Sequence, residues 1–336
     1  MAATTRHPAV AGTAAAPSSL HPAPVAPPSA TARTTTTAAV APGANTSGQR
    51  KYKYTGGFDF AKVSSGMQEK FKHNDHYDER SLPNMQVLLG LIEADLAMTD
   101  IRWIAYMLAT ALWETSHIET FQVPKTGKGG KVMTGKDGKV ITRARKVWIN
   151  MKPVHETGEG AGRRYHNPVK VQSLPTGELK ITEWNGNVFT VKTNGQYTAA
   201  VHGRVPGANP PSTPVAAYHS AAGDEHAYFG RGYVQLTWWY NYATAGVLLD
   251  KGLTLVTDPE NAMVAETAYG LMSLCMRTGK GFANNNKFDD YFSGNQRDYE
   301  GARAMVNALD TESIVKVANI ARLFEDVLWD ARKTTS

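Results

Sequence analysis

The chain has 336 residues, 42% of them hydrophobic, which is ample to bury a core without disulfides and excludes a fibrous or wholly disordered protein. Its one cysteine excludes an internal disulfide framework, and no run approaches the roughly 20 apolar residues of a membrane span. The formal charge of +6 is unevenly spread: residues 125–170 hold twelve Lys or Arg against three acids, and the first 50 residues hold three Arg and no acid. The rest of the chain is therefore net acidic. Such a basic segment either meets an anionic polymer or is a solvated face.

Residues 1–48 are Ala, Thr, Pro and Ser almost throughout, with no aromatic residue. They cannot bury enough apolar area to offset their ordering entropy, so residues 1–50 are expected to be a disordered tail. The tail has no basic start followed by an apolar stretch, so no secretory signal is expected and folding in a reducing cytosol is the simpler history. Residues 51–336 are expected to form the folded, predominantly helical α+β domain.

From Pro83 to Glu119 the pattern reads as helical. Ile101, Ile104, Ala105, Leu108, Ala111 and Leu112 recur at the three-four spacing of one helix face, and Asp100 stands where a cap is needed. Glu114 falls at the C-terminal end of that helix. The partial negative charge there disfavours an ionised carboxylate.

From Lys125 to about Gly223 glycines punctuate short β-rich pieces, an insertion at about 125–222. Gly135-Lys-Asp-Gly138 predicts a hairpin turn, and Asn185-Gly-Asn187 predicts another between Leu179–Trp184 and Val188–Lys192. Val205–Pro214 reads as loop. Gly130-Lys-Val-Met-Thr-Gly-Lys-Asp137 approaches a phosphate-binding loop, but Asp137 occupies the Ser/Thr position and a hairpin follows, so that reading is rejected. Helices are predicted again from Asp258 to about Gly279, from Tyr299 to Leu309, and from Thr311 to Arg332. Cys275 lies in an apolar run and reads as a small buried hydrophobe rather than a reactive thiol.

Glycoside hydrolysis needs one carboxyl group protonated at the leaving oxygen and a second ionised to activate water or attack the sugar. Glu114, in Ala111-Leu-Trp-Glu-Thr-Ser-His117, suits the first role. His226-Ala-Tyr-Phe-Gly-Arg-Gly-Tyr-Val-Gln-Leu-Thr-Trp-Trp-Tyr-Asn-Tyr242 is dense in aromatic rings and side-chain amides, which grip sugars by their apolar faces and hydroxyl rims.

Here a resemblance becomes specific. Gly230-Arg-Gly-Tyr-Val-Gln-Leu-Thr237 followed by Asn241-Tyr242 resembles the signature of glycoside hydrolase family 19, which contains chitinases and phage endolysins. Trp113-Glu-Thr-Ser-His117 is similar to the family's acid-bearing helix, and Asp258-Pro-Glu-Asn-Ala262 and Ala302-Arg-Ala-Met-Val-Asn307 resemble two later segments in the same order. The match covers residues 101–119 and 226–328. It implies a lysozyme-like fold with Glu114 as general acid, Gln235 and Asn241 as substrate-binding amides, Thr237 as a hydroxyl placing the water, Tyr240 at a sugar subsite, and Asn307 in the cleft. The family usually has glycine where this chain has Ala308.

Pro153-Val-His-Glu-Thr-Gly-Glu-Gly-Ala-Gly162 resembles the Pro-x-x-Glu-x-Gly-x-Gly stretch of the endolysin branch and implies Glu156 as the second carboxylate. Glu159 and Glu119 are its rivals. The implied mechanism is inverting, which needs the carboxyls about 6.5–9.5 Å apart; the loop at 125–150 must therefore return the chain to the cleft. Arg231 reads either as a sugar contact or as a brace for its own loop. Of Trp238 and Trp239, one is expected in the core.

No metal or other cofactor is expected: His73-Asn-Asp-His76 lacks a third ligand nearby, and the histidines at 117, 155 and 226 have no ligand spacing. The expected partner is the glycan backbone of peptidoglycan, with chitin as the alternative and no nucleic acid. The protein is expected to be made in a host cytoplasm and to act on the cell wall, the tail offering a virion attachment. A binding or virion component with a vestigial cleft is the reading from another class.

Overall fold

In a computed structural model, the chain is described at residues 52–54, 56–198, 216–306 and 311–333, with the side chains of 216 and 217 left out. The predicted tail, the Val205–Pro214 loop and Asn307 lie outside the described residues.

Three helices open the fold: α1 (Phe60–Lys70), α2 (Leu82–Ala94) and α3 (Ile101–Glu114). The Asp59 carboxylate caps α1 through the N–H groups of Ala61 and Lys62. Asp100 caps α3 as expected, accepting from the Arg102 N–H at 2.8 Å. The continuous helical reading from Pro83 to Glu119 needs correction at two places. Asp95 ends α2, and after Glu114 the chain turns directly into a strand. Helix α3 is also more than amphipathic: every residue from Ile101 to Leu112 except Trp103 is buried. Its three-four periodicity had marked only the most apolar face of a helix enclosed on all sides.

Two strands, β1 (His117–Pro124) and β2 (Thr142–Ile149), form an antiparallel arm with His117 opposite Ile149. At its far end the arm divides into two small turns, and the predicted Gly135–Gly138 turn is present, closed by the Gly138 N–H on the Gly135 carbonyl at 3.0 Å. Strand β3 (Val154–His155) follows. Strands β4 (Val169–Ser173), β5 (Leu179–Glu183) and β6 (Val188–Val191), with β7 (Asp224–His226), make a four-stranded antiparallel sheet in the order β6-β5-β4-β7. The Asn185–Asn187 hairpin joins β5 to β6 as its sequence predicted. A short helix α4 (Ala216–Ser220) precedes β7, and β8 (Arg231–Gly232) pairs with β3.

The C-terminal part is helical: α5 (Trp239–Leu248), α6 (Thr254–Thr257), α7 (Ala265–Thr278), α8 (Phe288–Tyr291) and α9 (Thr311–Ala331). Gly279, at φ 73°, ends α7 in the left-handed conformation that glycine adopts at little cost. Two predicted helices are corrected. Asp258-Pro259 opens a 3₁₀ turn (Pro259–Met263) rather than α7 itself, and the described part of Tyr299–Leu309 contains a 3₁₀ turn (Gly301–Met305).

Helices α3 and α9 pack along each other, and the core around them is one continuous cluster. It includes Val169, Val171, Leu179, Ile181 and Val191 from the sheet. The β-rich insertion therefore shares the core of the helical part. The architecture is α+β, and among the described residues no helix is long and apolar enough to cross a membrane. Cys275 is fully buried against this core, and burial pushes its thiol up to about 12, in keeping with its reading as an inert hydrophobe.

Candidate active site

Glu114 is the last residue of α3, and its carboxylate forms an ion pair with the Arg303 guanidinium. Arg303 is 2% exposed and is fixed from the other side by Ser313, whose hydroxyl accepts from Nε at 3.1 Å. Tyr106 lies beside Arg303, and burial pushes its phenol up to about 12 against the opposing effect of that guanidinium. The neighbouring Trp113 packs against His76, which lies between it and Trp148 with ring centres 5.0 Å from each. Burial and the nearby Lys316 charge hold that imidazole below its usual range.

Arg303 went unassigned although its segment was recognised. Its signal was a lone charge within Gly301-Ala-Arg-Ala-Met-Val306, an apolar context that an arginine occupies when a carboxylate awaits it.

The arm answers how the chain returns after leaving α3. Because β1 and β2 pair from His117 to Ile149, the chain departs and comes back at the same place. The Met151 N–H then donates to the Thr115 hydroxyl at 2.8 Å, and that hydroxyl donates to the Ala111 carbonyl at 2.6 Å. Glu156 is five residues past this anchor, a span of at most about 18 Å in extended chain.

Strand pairing of β3 with β8 sets the two recognised motifs side by side. Val154 faces Gly232, His155 faces Arg231, and the Glu156 N–H donates to the Gly230 carbonyl at 2.7 Å. The Glu156 carboxylate accepts two hydrogen bonds, from the Tyr165 hydroxyl at 2.8 Å and from the Gly230 N–H at 3.0 Å. This close packing explains two of the motif glycines. A Cβ on Gly230 would stand 2.7 Å from the Gln235 side-chain oxygen and 3.1 Å from the Glu156 Cβ. A Cβ on Gly160 would stand 2.5 Å from the Tyr165 ring, at a φ of +71°.

The rivals of Glu156 are placed differently. Glu159 is exposed, sits at φ 53°, and contributes its carbonyl, not its carboxylate, to a bond with His166. Glu119 lies on the arm, where hydrogen bonds from Lys152 and His117 hold its carboxyl below the usual range.

The remaining residues fall into two groups. Gln235 and Asn241 donate amide N–H groups within the protein: Gln235 donates to the carbonyls of Val154 (3.1 Å) and Gly232 (3.2 Å), and Asn241 to that of Thr237 (2.9 Å). Gln235 thereby commits both of its amide N–H groups and offers a ligand its side-chain oxygen, while Asn241 commits one N–H and keeps the other alongside its oxygen. Thr237 is 5% exposed. Arg231 braces its own loop, bonded to Glu260, to the carbonyls of Ala227 and Phe229, and to Tyr242, and is 4% exposed. The bracing role is therefore the one it fills. His155 shares the Glu260 carboxylate at 2.8 Å, and His226 packs near the Tyr228 ring.

Tyr240 belongs to an aromatic group. Its ring stacks on Trp238 at 5.7 Å, and Trp238 meets the Tyr165 ring edge-on at 5.5 Å. Trp239 is the buried member of the tryptophan pair and donates its indole N–H to Glu183 at 3.0 Å. A small recess of about 20 Å³ opens here, walled by Tyr165, Trp184, Trp238 and Trp239 with Arg164 and Glu183. Tyr165 thus has one side on the recess and its hydroxyl on Glu156. Trp184 and Tyr165 were missed as site residues because sequence spacing carries no trace of the sheet that brings them to Trp238. Among the described residues, no group of three or more His, Cys, Asp or Glu could hold a metal ion.

Comparison with known proteins identifies no relative: no family model, no curated protein and no solved structure matches this chain.

Proposed function

We propose that the protein is a glycoside hydrolase with a lysozyme-like fold that cleaves the glycan backbone of peptidoglycan by an inverting, two-carboxylate mechanism. The observation that carries this reading is the juxtaposition around Glu156. A carboxylate oriented by Tyr165 and the Gly230 N–H adjoins a small aromatic recess through Tyr165, and the chain leading to it is anchored at Met151 to Thr115, the residue after Glu114. Glu114 would act as general acid by taking up a proton as it leaves its ion pair with Arg303 and donating that proton to the glycosidic oxygen. Glu156 would accept a proton from the attacking water. The side-chain oxygens of Gln235 and Asn241, the Thr237 hydroxyl, Tyr240 and Asn307 would complete the substrate groove.

Peptidoglycan is favoured over chitin by the exposed basic arm, which suits an anionic wall. Site of action at the cell wall, and virion attachment through residues 1–50, belong to the same proposal. The test is turbidity loss of outer-membrane-permeabilised bacteria with wild type and Glu114→Gln, with colloidal chitin in parallel. Wild type should clear the suspension and the variant should be slower by at least about 100-fold, the usual contribution of a general acid. Equal clearing by both would refute the assignment.

A further inference from the structure

The far end of the β1–β2 arm is one motif used twice. Thr126-Gly-Lys-Gly-Gly-Lys-Val-Met133 is followed at once by Thr134-Gly-Lys-Asp-Gly-Lys-Val-Ile141, which differs only where Asp137 stands for Gly129 and Ile141 for Met133. The two copies fold alike. Thr126 bridges Val132 as Thr134 bridges Val140. The Gly127 N–H reaches the Lys131 carbonyl at 2.9 Å, as the Gly135 N–H reaches that of Lys139 at 2.8 Å. Gly130 and Gly138 close the two turns at φ 75° and 77°. Backbone bonds tie the copies into one platform: the Lys125 N–H donates to Ile141 at 2.8 Å, that of Met133 to Lys125 at 2.9 Å, and that of Ile141 to Met133 at 2.9 Å.

Neither copy packs against the core. Every residue from 126 to 141 is exposed except Gly135 and Ile141, which are half-buried. The side chains that repeat are nevertheless two lysines and a valine. Among the described residues nine large hydrophobic side chains are exposed, and three of them, Val132, Met133 and Val140, fall on this tip. Lys128, Lys131, Lys136 and Lys139 stand among them, and the one acid, Asp137, accepts from the Lys139 N–H at 3.1 Å. A wall polymer or a nucleic acid would account for the lysines alone. Cations interleaved with exposed apolar side chains match a partner that is anionic at its surface and apolar beneath it.

We propose that these two lobes are a docking surface for an anionic phospholipid bilayer, the lysines pairing with lipid phosphates while Val132, Met133 and Val140 enter the headgroup region. Two equivalent lobes suit a surface whose anionic groups recur, because the second binds from a position that the first has already fixed. Strands β1 and β2 pair over eight residues each, which at about 3.4 Å per residue gives the arm a length of roughly 25 Å. The lobes at its end can therefore meet a flat surface that the helical core does not touch. The inference does not rest on glycan cleavage.

The test sediments the full-length protein at low salt with vesicles of phosphatidylcholine, alone or mixed two to one with phosphatidylglycerol. The anionic vesicles should carry the protein down and the neutral ones should not. Lys128→Gln with Lys131→Gln should lower the partition coefficient about 10–30-fold, each lysine beside the surface being worth roughly a factor of five. Lys136→Gln with Lys139→Gln should do the same, because the lobes are equivalent. Val132→Thr with Val140→Thr keeps β-branched residues on exposed strand positions. That pair should lower partitioning by about threefold or more, through lost apolar contact, while retention on a heparin column stays unchanged. Equal sedimentation with both vesicles, sedimentation with neither, or vesicle binding untouched by the valine pair would each overturn the proposal. Vesicle binding lost with wall binding retained would assign the lobes to a wall polyanion and overturn it too. No part of the test requires cleavage, so a catalytically inert protein sinks only the enzymatic reading.

Discussion

Glu114 and Glu156, the two carboxylates of the proposed site, are held in different ways. Glu114 depends on one buried cation. Removing that cation should be severe, because a nearly enclosed carboxylate would lose its partner: Arg303→Ala should cost about 3–5 kcal/mol in urea unfolding. A loss below about 1 kcal/mol would show that the pair is more solvated than its burial implies. Glu156 depends on a phenol and a backbone N–H, neither charged. On the proposed mechanism, Glu156→Gln should abolish clearing while Glu159→Gln leaves it nearly intact, since the Glu159 carboxylate points into solvent. The reverse pattern in side-by-side assays would move the second carboxylate three residues along.

Among the elements, α3 and the β1–β2 arm do most to position the site. The arm closes a loop that sequence alone leaves open, and it carries Lys125, Lys128, Lys131, Lys136, Lys139, Arg143, Arg145 and Lys146 on exposed positions with Asp137 as the one acid from 125 to 146. Binding to anionic walls should therefore weaken steeply between low and physiological salt in sedimentation assays, as exposed charges are screened beyond about 8–10 Å. Salt-independent sedimentation would assign the arm to a solvated face. Helix α2 is tied to α7 by Asp95, which accepts from Tyr269 at 2.9 Å and Ser273 at 2.6 Å. Burial opposes ionisation of Asp95, but bonds from Ser273, Tyr269 and the Ala97 N–H, with the Arg277 charge, outweigh it and hold the carboxyl below its usual range. A carboxyl depressed in the folded state stabilises above the unfolded value of about 3.9 and loses that contribution as pH falls through the folded value. Urea unfolding of wild type and Asp95→Asn should thus converge below about pH 4, while wild type is the more stable near pH 6. A constant gap across that window would remove Asp95 from the acid sensitivity.

At the scale of the whole molecule, much of the architecture was legible because it is written in local patterns. The Asp100 cap, the two hairpin turns and the long C-terminal helix each follow from side-chain spacing or turn chemistry over a few residues. The α+β class follows from those same elements. The misread boundaries are of one kind: His117–Glu119 becomes strand only because Ile149 and its neighbours lie opposite, and Pro259–Met263 forms a 3₁₀ turn whose Glu260 pairs with the distant Arg231. What the tertiary structure alone decided are pairings across long separations. Arg303 reaches Glu114 over 189 positions, Gly230 reaches Glu156 over 74, and Trp239 reaches Glu183 over 56. A sequence pattern records which residues prefer burial or a turn, because those preferences act within a few residues. It holds no record of which buried charge meets which, because that contact exists only once β3 has paired with β8 and α9 has packed along α3.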